Sequence, residues 1–420
     1  MIRVRRIVRG DNPPLVDVGE RMALIRRLCS FERRGAGTDA ERRAGNYLAD
    51  RLREGGRRAE VEPTYVHPQY PLAHAFHCAL GIAGSIASIE LPALGFAIVL
   101  FAALSMYLDL NTRLYLIRSL FFRRASQNIV SRGGRPDVPA RVVLCAHYDA
   151  PRTGRVFAPH TVRRAARLQS RLPFPIGFLR IAFWSHAALL PILGARMAGV
   201  DAEWLSVVQL IPTLALVVEV FLLVDIALSD VVPGANDNAS GVAAALSVAA
   251  ELERDLPRRL DVWVLLTGAG WTLHQGMRAF MRAHRKDLAR DSTYFLELDT
   301  VGLGDVRFET AAGWAVSFPM DARLVELCEA LAGADRDRED RYRARALGRG
   351  GLPGEAVAAR LRRYPAITIT CAGELDISPG ARSAADVPDR IDPEALERAH
   401  AFSVGFVRLL DREVGRTALV

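Results

Sequence analysis

Residues 141–149 read Arg-Val-Val-Leu-Cys-Ala-His-Tyr-Asp, an apolar run that stops at a histidine. Such a short apolar run predicts a strand that is buried on both faces, as in a parallel sheet. Similar runs lie at 261–266, 294–298 and 366–370. Helical patterns alternate with these strands and lie at 239–254, 275–285, 321–332 and 393–411. Two further helices are predicted within 18–55, before the first of these strands. This alternation predicts an α/β fold, a mostly parallel mixed sheet with helices on both faces.

Polar residues lie at the ends of two of these strands and before one of the helices. His147 and Asp149 end the first strand, residues 234–241 (Gly-Ala-Asn-Asp-Asn-Ala-Ser-Gly) precede a helix, and Asp299 ends a later strand. Each has a structural explanation: His147 could pair with Asp149, Asp237 could cap a helix, and Asp299 could begin a turn. Taken together, an imidazole and two carboxylates at strand ends are ligands that Zn²⁺ accepts, and Asp149 would orient His147.

In their order along the chain, these motifs resemble the co-catalytic di-zinc aminopeptidases, metallopeptidase family 28. The family's His-x-Asp, Asn-Asp-Asn-x-Ser-Gly, strand-ending Asp and closing Asp-x-Pro-Asp-x-Ile-Asp motifs are matched at 147–149, 236–241, 299 and 386–392. Residues 18–62 resemble the family's opening helices and strand. The resemblance implies a zinc aminopeptidase-like fold, with His147, Asp237 and Asp299 as zinc ligands. It does not extend to the chemistry of the single-zinc glutaminyl cyclases of this fold, because these enzymes keep the half of the metal site that this sequence lacks.

The sequence departs from the family at the second metal. The family's Gly-Ala-Glu-Glu is Gly-Ala-Gly-Trp at 268–271, so Gly270 replaces the general base and Trp271 replaces a ligand. Arg382 stands at the position of the family's late histidine. An arginine is always protonated and repels a cation. The resemblance therefore implies at most one zinc ion per chain, or none. Arg382 would give Asp237 positive charge, because a buried carboxylate without a partner costs about 3–5 kcal/mol.

Three other residues could replace the lost groups. His274, Glu374 and Asp376 lie near the relevant loops in the sequence, but nothing in their spacing demands a site, and we expect surface positions for them.

Two pairs of apolar segments interrupt the α/β pattern. Residues 73–89 and 91–108 are uncharged, and each approaches the ~20 residues that cross a bilayer. The uncharged parts of a second pair, 181–195 and 205–218, are shorter and would also suit core helices of a soluble domain. We predict two transmembrane hairpins, which would insert the fold into a bilayer.

Charge placement predicts the orientation. Arginines are concentrated between the hairpins, including one in the apolar segment 114–122, which would suit a helix on the membrane surface. The positive-inside rule then predicts a multi-pass protein of the cell inner membrane with both termini and the peptidase-like domain in the cytoplasm.

The composition agrees with that compartment. The formal charge is +8, but arginines at a lipid surface need no nucleic-acid partner. Five cysteines, an odd count, indicate reduced thiols. The predicted organisation is the N-terminal part of the peptidase-like domain (1–70), hairpin 1 (71–110), the His-x-Asp strand with basic interfacial helices (111–177), hairpin 2 (178–228) and the remainder (229–420).

These features favour a non-hydrolytic or weakly active peptidase homologue that binds a ligand or partner, such as a peptide or a membrane-associated molecule. The alternative is an active membrane-anchored aminopeptidase that uses a single zinc. A third class, transport, has only Glu219 and Asp225 as its signal, because ionisable groups within membrane helices are usually functional.

Overall fold

The computed structural model describes residues 17–200, 202–337, 339–347, 352–378 and 380–417. The strands are β1 (Glu60–Val66), β2 (Arg124–Ser131), β3 (Ala140–His147), β4 (Leu260–Thr267), β5 (Thr293–Leu298), β6 (Asp305–Glu309), β7 (Ala311–Ala312), β8 (Phe318–Pro319), β9 (Arg345–Leu347) and β10 (Ala366–Ala372). The helices are α1 (Val18–Cys29), α2 (Asp39–Glu54), α3 (Tyr70–Ala87), α4 (Pro92–Leu110), α5 (Pro159–Gln169), α6 (Phe178–Met197), α7 (Glu203–Leu228), α8 (Gly241–Arg254), α9 (Gln275–Ala283), α10 (Ala322–Arg336), α11 (Ala356–Arg360) and α12 (Pro393–Thr417).

Eight of these strands form one mixed sheet in the order β1-β2-β4-β3-β5-β10-β6-β9. The four central strands, β4, β3, β5 and β10, are mutually parallel, and antiparallel pairings join them to β2 on one side and β6 on the other. The predicted mixed α/β fold is confirmed. Because parallel strands end at one edge of a sheet, the segments after β3, β4 and β5 meet there.

Both faces of the sheet are covered. One core combines the inward faces of α1, α2, α8, α10 and α12 with one face of the sheet. The other lies under α9 and α11 and includes Cys145, which is fully buried within β3. Some helix caps follow from the sequence: Thr38, for example, accepts a hydrogen bond from the Glu41 amide at the start of α2.

The two predicted hairpins form a separate helical bundle. Helices α3 and α4 make the first hairpin and α6 and α7 the second, and they share a hydrophobic core that also includes residues of the α/β part such as Leu273 and Trp314. By length and composition, α4, α6 and α7 could cross a membrane. Helix α3 is not among the described helices that are both long and apolar enough to do so. Large apolar side chains on the outside of the bundle are exposed, among them Ile211 and Phe221.

The chain between the hairpins differs from the prediction. Segment 114–122 contains only one turn of 3₁₀ helix, and Arg118 in that turn is fully buried. Its guanidinium pairs with the Asp109 carboxylate and donates to the Thr272 carbonyl, so it cannot contact lipid headgroups. A basic helix does occur further on, as α5, whose Arg163, Arg164 and Arg167 line a shallow surface groove.

Candidate metal centre

The predicted ligands converge at the carboxyl edge of the parallel strands. His147 is the last residue of β3, Asp299 follows β5, and Asp237 lies in the loop before α8. One ligand atom from each lies within 4.8 Å of the others. The His147 Nε2 atom is 3.2 Å from Asp237 Oδ1 and 3.8 Å from Asp299 Oδ1.

The donor set fits a metal ion. Both carboxylate oxygens of Asp237 and one of Asp299 are buried without a hydrogen-bond partner, which is a costly state for a carboxylate. An imidazole nitrogen and two carboxylates match the ligands of zinc sites. The His/Asp/Asp cluster therefore supports zinc.

The opposite nitrogen of His147 faces Asp149. His147 Nδ1 lies 3.2 Å from the Asp149 carbonyl oxygen and 3.3 Å from its carboxylate. That carboxylate also accepts hydrogen bonds from the amides of Gly270 and Trp271. Asp149 thus fixes both the histidine ring and the loop after β4.

The loop that carries Asp237 is held from two directions. The Asp386 carboxylate accepts hydrogen bonds from the Asn236 and Asp237 amides at 2.6 and 3.2 Å. The Asn238 side chain bridges to the segment after β5, donating to the Leu298 carbonyl and accepting from the Thr300 amide. These bonds explain how the 234–241 and 386–392 motifs act together to position one carboxylate.

Arg382 lies against the same carboxylate. Its Nε atom is 2.7 Å from Asp237 Oδ2, close enough for an ion pair, although the N–H does not point along a hydrogen-bond direction. The guanidinium also lies over the Trp271 ring, 5.1 Å from its centroid. Trp271 packs edge-on against Tyr70 and Phe157, so its ring belongs partly to the bundle.

Gly270 leaves no room for a side chain in this backbone. A Cβ atom there would lie 2.2 Å from the His147 Cβ, far inside van der Waals contact. The loop thus excludes a carboxylate at this position unless the strand end moves.

Neighbouring charges set the proton affinities of the cluster. Burial lowers the pKa of His147, but the acceptors Asp149 and Asp237 outweigh it and raise that pKa well above its usual value. Burial and the nearby Asp237 charge raise the pKa of Asp299 to about 7. Burial would also raise the pKa of Asp237, yet Arg382 and His147 lower it. A metal ion binding here would displace protons.

Two further residues border the cluster. Glu355 is fully buried: its Oε2 accepts from the Thr267 hydroxyl, and its Oε1, which has no partner, is 3.1 Å from the Cβ position of residue 270. A cavity of about 20 Å³ is lined by Glu355, His147, Asp299 and His274. The sequence expectation of a surface position for His274 is wrong, because its ring is buried and accepts from the Trp314 indole.

The other two candidates for compensation differ from His274. Glu374 is exposed, and Asp376 is partly exposed and pairs with Arg307. Sequence reasoning missed Glu355, because the segment before α11 has no motif and approaches Gly270 only in the folded chain.

Comparison with known proteins agrees with this site. Residues 223–348 match the profile of a family described as peptidase family M28, a range that includes Asp237 and Asp299. The resemblance to metallopeptidase family 28 is therefore confirmed. A search of curated protein sequences finds no match.

Solved structures share the fold at low sequence identity. A Zn-dependent exopeptidase from Parabacteroides distasonis is 15% identical, with a TM-score of 0.52 over 93% of this chain and 97% of that one. A leucine aminopeptidase precursor from Bacteroides thetaiotaomicron has the same identity and TM-score, over 94% and 98%. Tannerella forsythia glutaminyl cyclase is 16% identical, with a TM-score of 0.52 over 94% and 99%. The chain thus has the mixed α/β fold of zinc exopeptidases.

Proposed function

We propose that this chain is a multi-pass membrane protein whose peptidase-like domain holds at most one zinc ion and binds a ligand without hydrolysing peptides efficiently. The observation that carries the proposal is the contact of Arg382 Nε with Asp237 Oδ2, at 2.7 Å. In the family pattern, a histidine ligand of the second metal stands at this place. A guanidinium has no lone pair to bind a metal and repels a cation.

The first metal position keeps its ligands. His147, Asp237 and Asp299 would hold the ion, while Asp149 keeps His147 in the orientation that presents Nε2. Zinc bound there would supply a Lewis acid for a carbonyl oxygen or a water molecule. The ligand set alone therefore supports binding of a polar group at this site.

The family's base is missing. Gly270 has no side chain, and the contact of its Cβ position with His147 excludes a simple return to glutamate. Loss of a positioned base lowers a rate by about 10²–10⁴-fold. The site therefore favours binding over turnover by the family mechanism.

The test is zinc content and activity in one detergent-purified sample. We expect about one zinc ion per chain, loss of that ion in His147→Ala, and no rapid cleavage of a leucyl anilide. The matched control is His160→Ala, since His160 is exposed on α5 and outside the cluster. Two ions per chain, or rapid cleavage abolished by His147→Ala, would each contradict the proposal.

An active single-zinc aminopeptidase is the second candidate, and Glu355 favours it. Its unpartnered Oε1 atom borders the space beside Gly270, and burial raises its pKa to about 8. The cavity of about 20 Å³ between Glu355 and the metal ligands is the size that one water molecule needs. In its ionised form, which predominates above about pH 8, Glu355 could there accept a proton in place of the missing base.

This candidate predicts slow aminopeptidase activity that depends on Glu355. Glu355→Gln should lower the rate about 10²–10⁴-fold without loss of zinc, whereas Glu374→Gln, an exposed control, should not change it. Equal rates in Glu355→Gln and the unmodified protein would exclude Glu355 as the base.

The membrane assignment is also part of the proposal. Helices α4, α6 and α7 have the length and composition of spans, and the apolar outer surface of the bundle supports insertion. The basic chain between the hairpins supports a cytoplasmic domain at the cell inner membrane. The partners would then be the bilayer and a ligand that reaches the site from it.

A further inference from the structure

Helix α5 carries a cluster of basic side chains on its outer face. They form a shallow surface groove, the α5 groove, which is lined by Pro159, His160, Arg163, Arg164 and Arg167. The three arginines are exposed, and none of them forms an ion pair with a carboxylate among the residues that the structure describes. Arg163 and Arg167 are four residues apart and therefore neighbours on the helix, where like charges repel. A bound anion would stabilise a groove of this charge.

The inner face of α5 packs against the protein and fixes the direction of the outer face. Ala166 and Gln169 are buried, and together with Val162 they line the cavity between α5 and the helical bundle. Because this face is occupied, the arginines on the opposite face point away from the protein. The anion that meets them must therefore come from outside the fold.

The chain after α5 holds the groove beside a membrane helix. The Gln169 side-chain amide donates to the Phe174 carbonyl and accepts from the Ile176 amide, at 2.9 and 2.6 Å. Helix α6, which has the length and composition of a span, begins two residues later, at Phe178. The C-terminal end of α5 thus lies next to the start of α6, where a spanning helix would leave the bilayer.

Exposed apolar side chains accompany the arginines. Leu168 follows Arg167 directly, Phe174 lies between α5 and α6, and Trp184 lies on α6. Basic side chains next to exposed leucine, phenylalanine and tryptophan are typical of surfaces that lie in a membrane interface. A small soluble anion would satisfy the arginines but would leave Leu168 and Phe174 in water. The combination therefore favours an anion that carries acyl chains.

We infer that the α5 groove binds the headgroup of an anionic phospholipid, with Arg163, Arg164 and Arg167 around its phosphate. Guanidinium groups form charge-assisted hydrogen bonds with phosphate oxygens, and an anionic headgroup, unlike a zwitterionic one, carries a net charge for them to neutralise. The inference rests on the membrane part of the proposed function and deepens it, because it names the lipid class and the residues. It assigns to α5 the membrane-surface role that the sequence predicts for segment 114–122.

The experiment measures the lipid preference of the full chain in detergent micelles. Binding is followed by energy transfer from the tryptophans of the protein to phospholipids that carry a nitrobenzoxadiazole group on one acyl chain. Phosphatidylglycerol should half-saturate the signal at a mole fraction about 10- to 100-fold lower than phosphatidylcholine, because three arginines favour the anionic headgroup. Added salt should reduce this preference, since ions screen the charges of an exposed groove.

Two triple variants locate the site. Replacement of the groove arginines by Arg163→Gln, Arg164→Gln and Arg167→Gln should reduce the preference to less than about 3-fold. The matched control removes three other exposed arginines, by Arg254→Gln, Arg258→Gln and Arg290→Gln. These residues precede β4 and β5 and thus lie towards the amino edge of the parallel strands, opposite the edge that meets the bundle. The control should keep the full preference, and gel filtration and a thermal melt check that both variants are folded.

Three results would overturn the inference: no preference for phosphatidylglycerol in the unmodified chain, a preference that survives the triple change in α5, or a preference that the control variant loses equally. Glycerol phosphate, which has no acyl chains, makes the last arm. If it displaces the labelled lipid as effectively as unlabelled phosphatidylglycerol does, the groove binds soluble phosphate esters and the lipid assignment is wrong.

Failure of this inference is distinct from failure of the proposed function. A chain that needs detergent but shows no preference for phosphatidylglycerol contradicts the lipid site alone. A chain that stays in solution without detergent contradicts the membrane assignment itself. The zinc count is a separate measurement, because the arginines of α5 lie outside the metal cluster.

Discussion

One guanidinium determines how the Asp237 carboxylate is neutralised. Arg382 touches it from one side, the His147 ring touches it from the other, and neither is oriented to form a hydrogen bond with it. The carboxylate is almost completely buried, so its negative charge depends on these two neighbours. Arg382 and a metal ion therefore compete to supply the same positive charge.

Arg382→Met tests this competition. In the absence of metal, we expect the free energy of unfolding to fall by about 3–5 kcal/mol, because a buried charge loses its partner. Added zinc should raise the stability of the variant more than that of the unmodified protein, and the variant should bind zinc more tightly. Denaturant unfolding with and without zinc measures both effects.

The control is Arg42→Met, which removes an exposed pair with Asp39 on α2 and should cost less than about 1 kcal/mol. Equal stability of Arg382→Met and the unmodified protein without metal would show that Asp237 does not need the guanidinium.

Among individual residues, the sequence identifies those site residues that belong to motifs. His147, Asp237 and Asp299 could be selected because each follows a strand or opens a helix within a known spacing. Glu355 could not, because its partners Thr267 and Gly270 are far away in the chain and meet it only through tertiary packing.

Among the elements, the loop before α8 has the greatest effect on the site. Its position depends on Asp386, whose carboxylate accepts from two successive amides, and on Asn238, which joins it to the chain after β5. The ligand oxygen of Asp237 is thus placed by bonds that never touch a metal.

Asp386→Ala should therefore lower zinc affinity about 10- to 100-fold while leaving all three ligands in the chain. Zinc competition with a coloured chelator measures this change. Asp389→Ala is the matched control, because Asp389 belongs to the same motif but is exposed. An unchanged affinity in Asp386→Ala would show that the loop is held well enough without it.

The elements differ in how far their sequences predict them. Strands β3, β4, β5 and β10 could be recognised because they are buried on both faces and their sequences are mostly apolar. Strand β2 mixes arginine, serine, glutamine and asparagine with apolar residues, and its place between β1 and β4 is set by pairing. Strand β9 has only three residues, too few for a periodic pattern.

For the whole molecule, the exposed apolar surface of the bundle predicts insertion into a bilayer, and the basic chain between the hairpins predicts the orientation. If the domain faces the cytoplasm, the turn between α6 and α7 lies on the opposite side. Ala198→Cys, exposed after α6, should react with a membrane-impermeant maleimide in intact cells or spheroplasts. Asp255→Cys, exposed after α8, should react only after lysis. Four of the five native cysteines are buried, which keeps the background low.

The predicted topology would be wrong if the maleimide labels Asp255→Cys in intact cells, or if it does not label Ala198→Cys there. A chain that stays in solution without detergent would exclude insertion.

The order of the elements along the chain also affects biosynthesis. Both hairpins lie before residue 229, whereas Asp237, Asp299 and Arg382 follow it, as do three of the four central parallel strands. Translation runs from the N-terminus, so the ribosome releases every apolar helix of the bundle while His147 is still the one cluster ligand already made. The metal cluster can be completed only after the helices have been synthesised. A nascent chain therefore has no complete zinc site while any helix of the bundle remains to be synthesised.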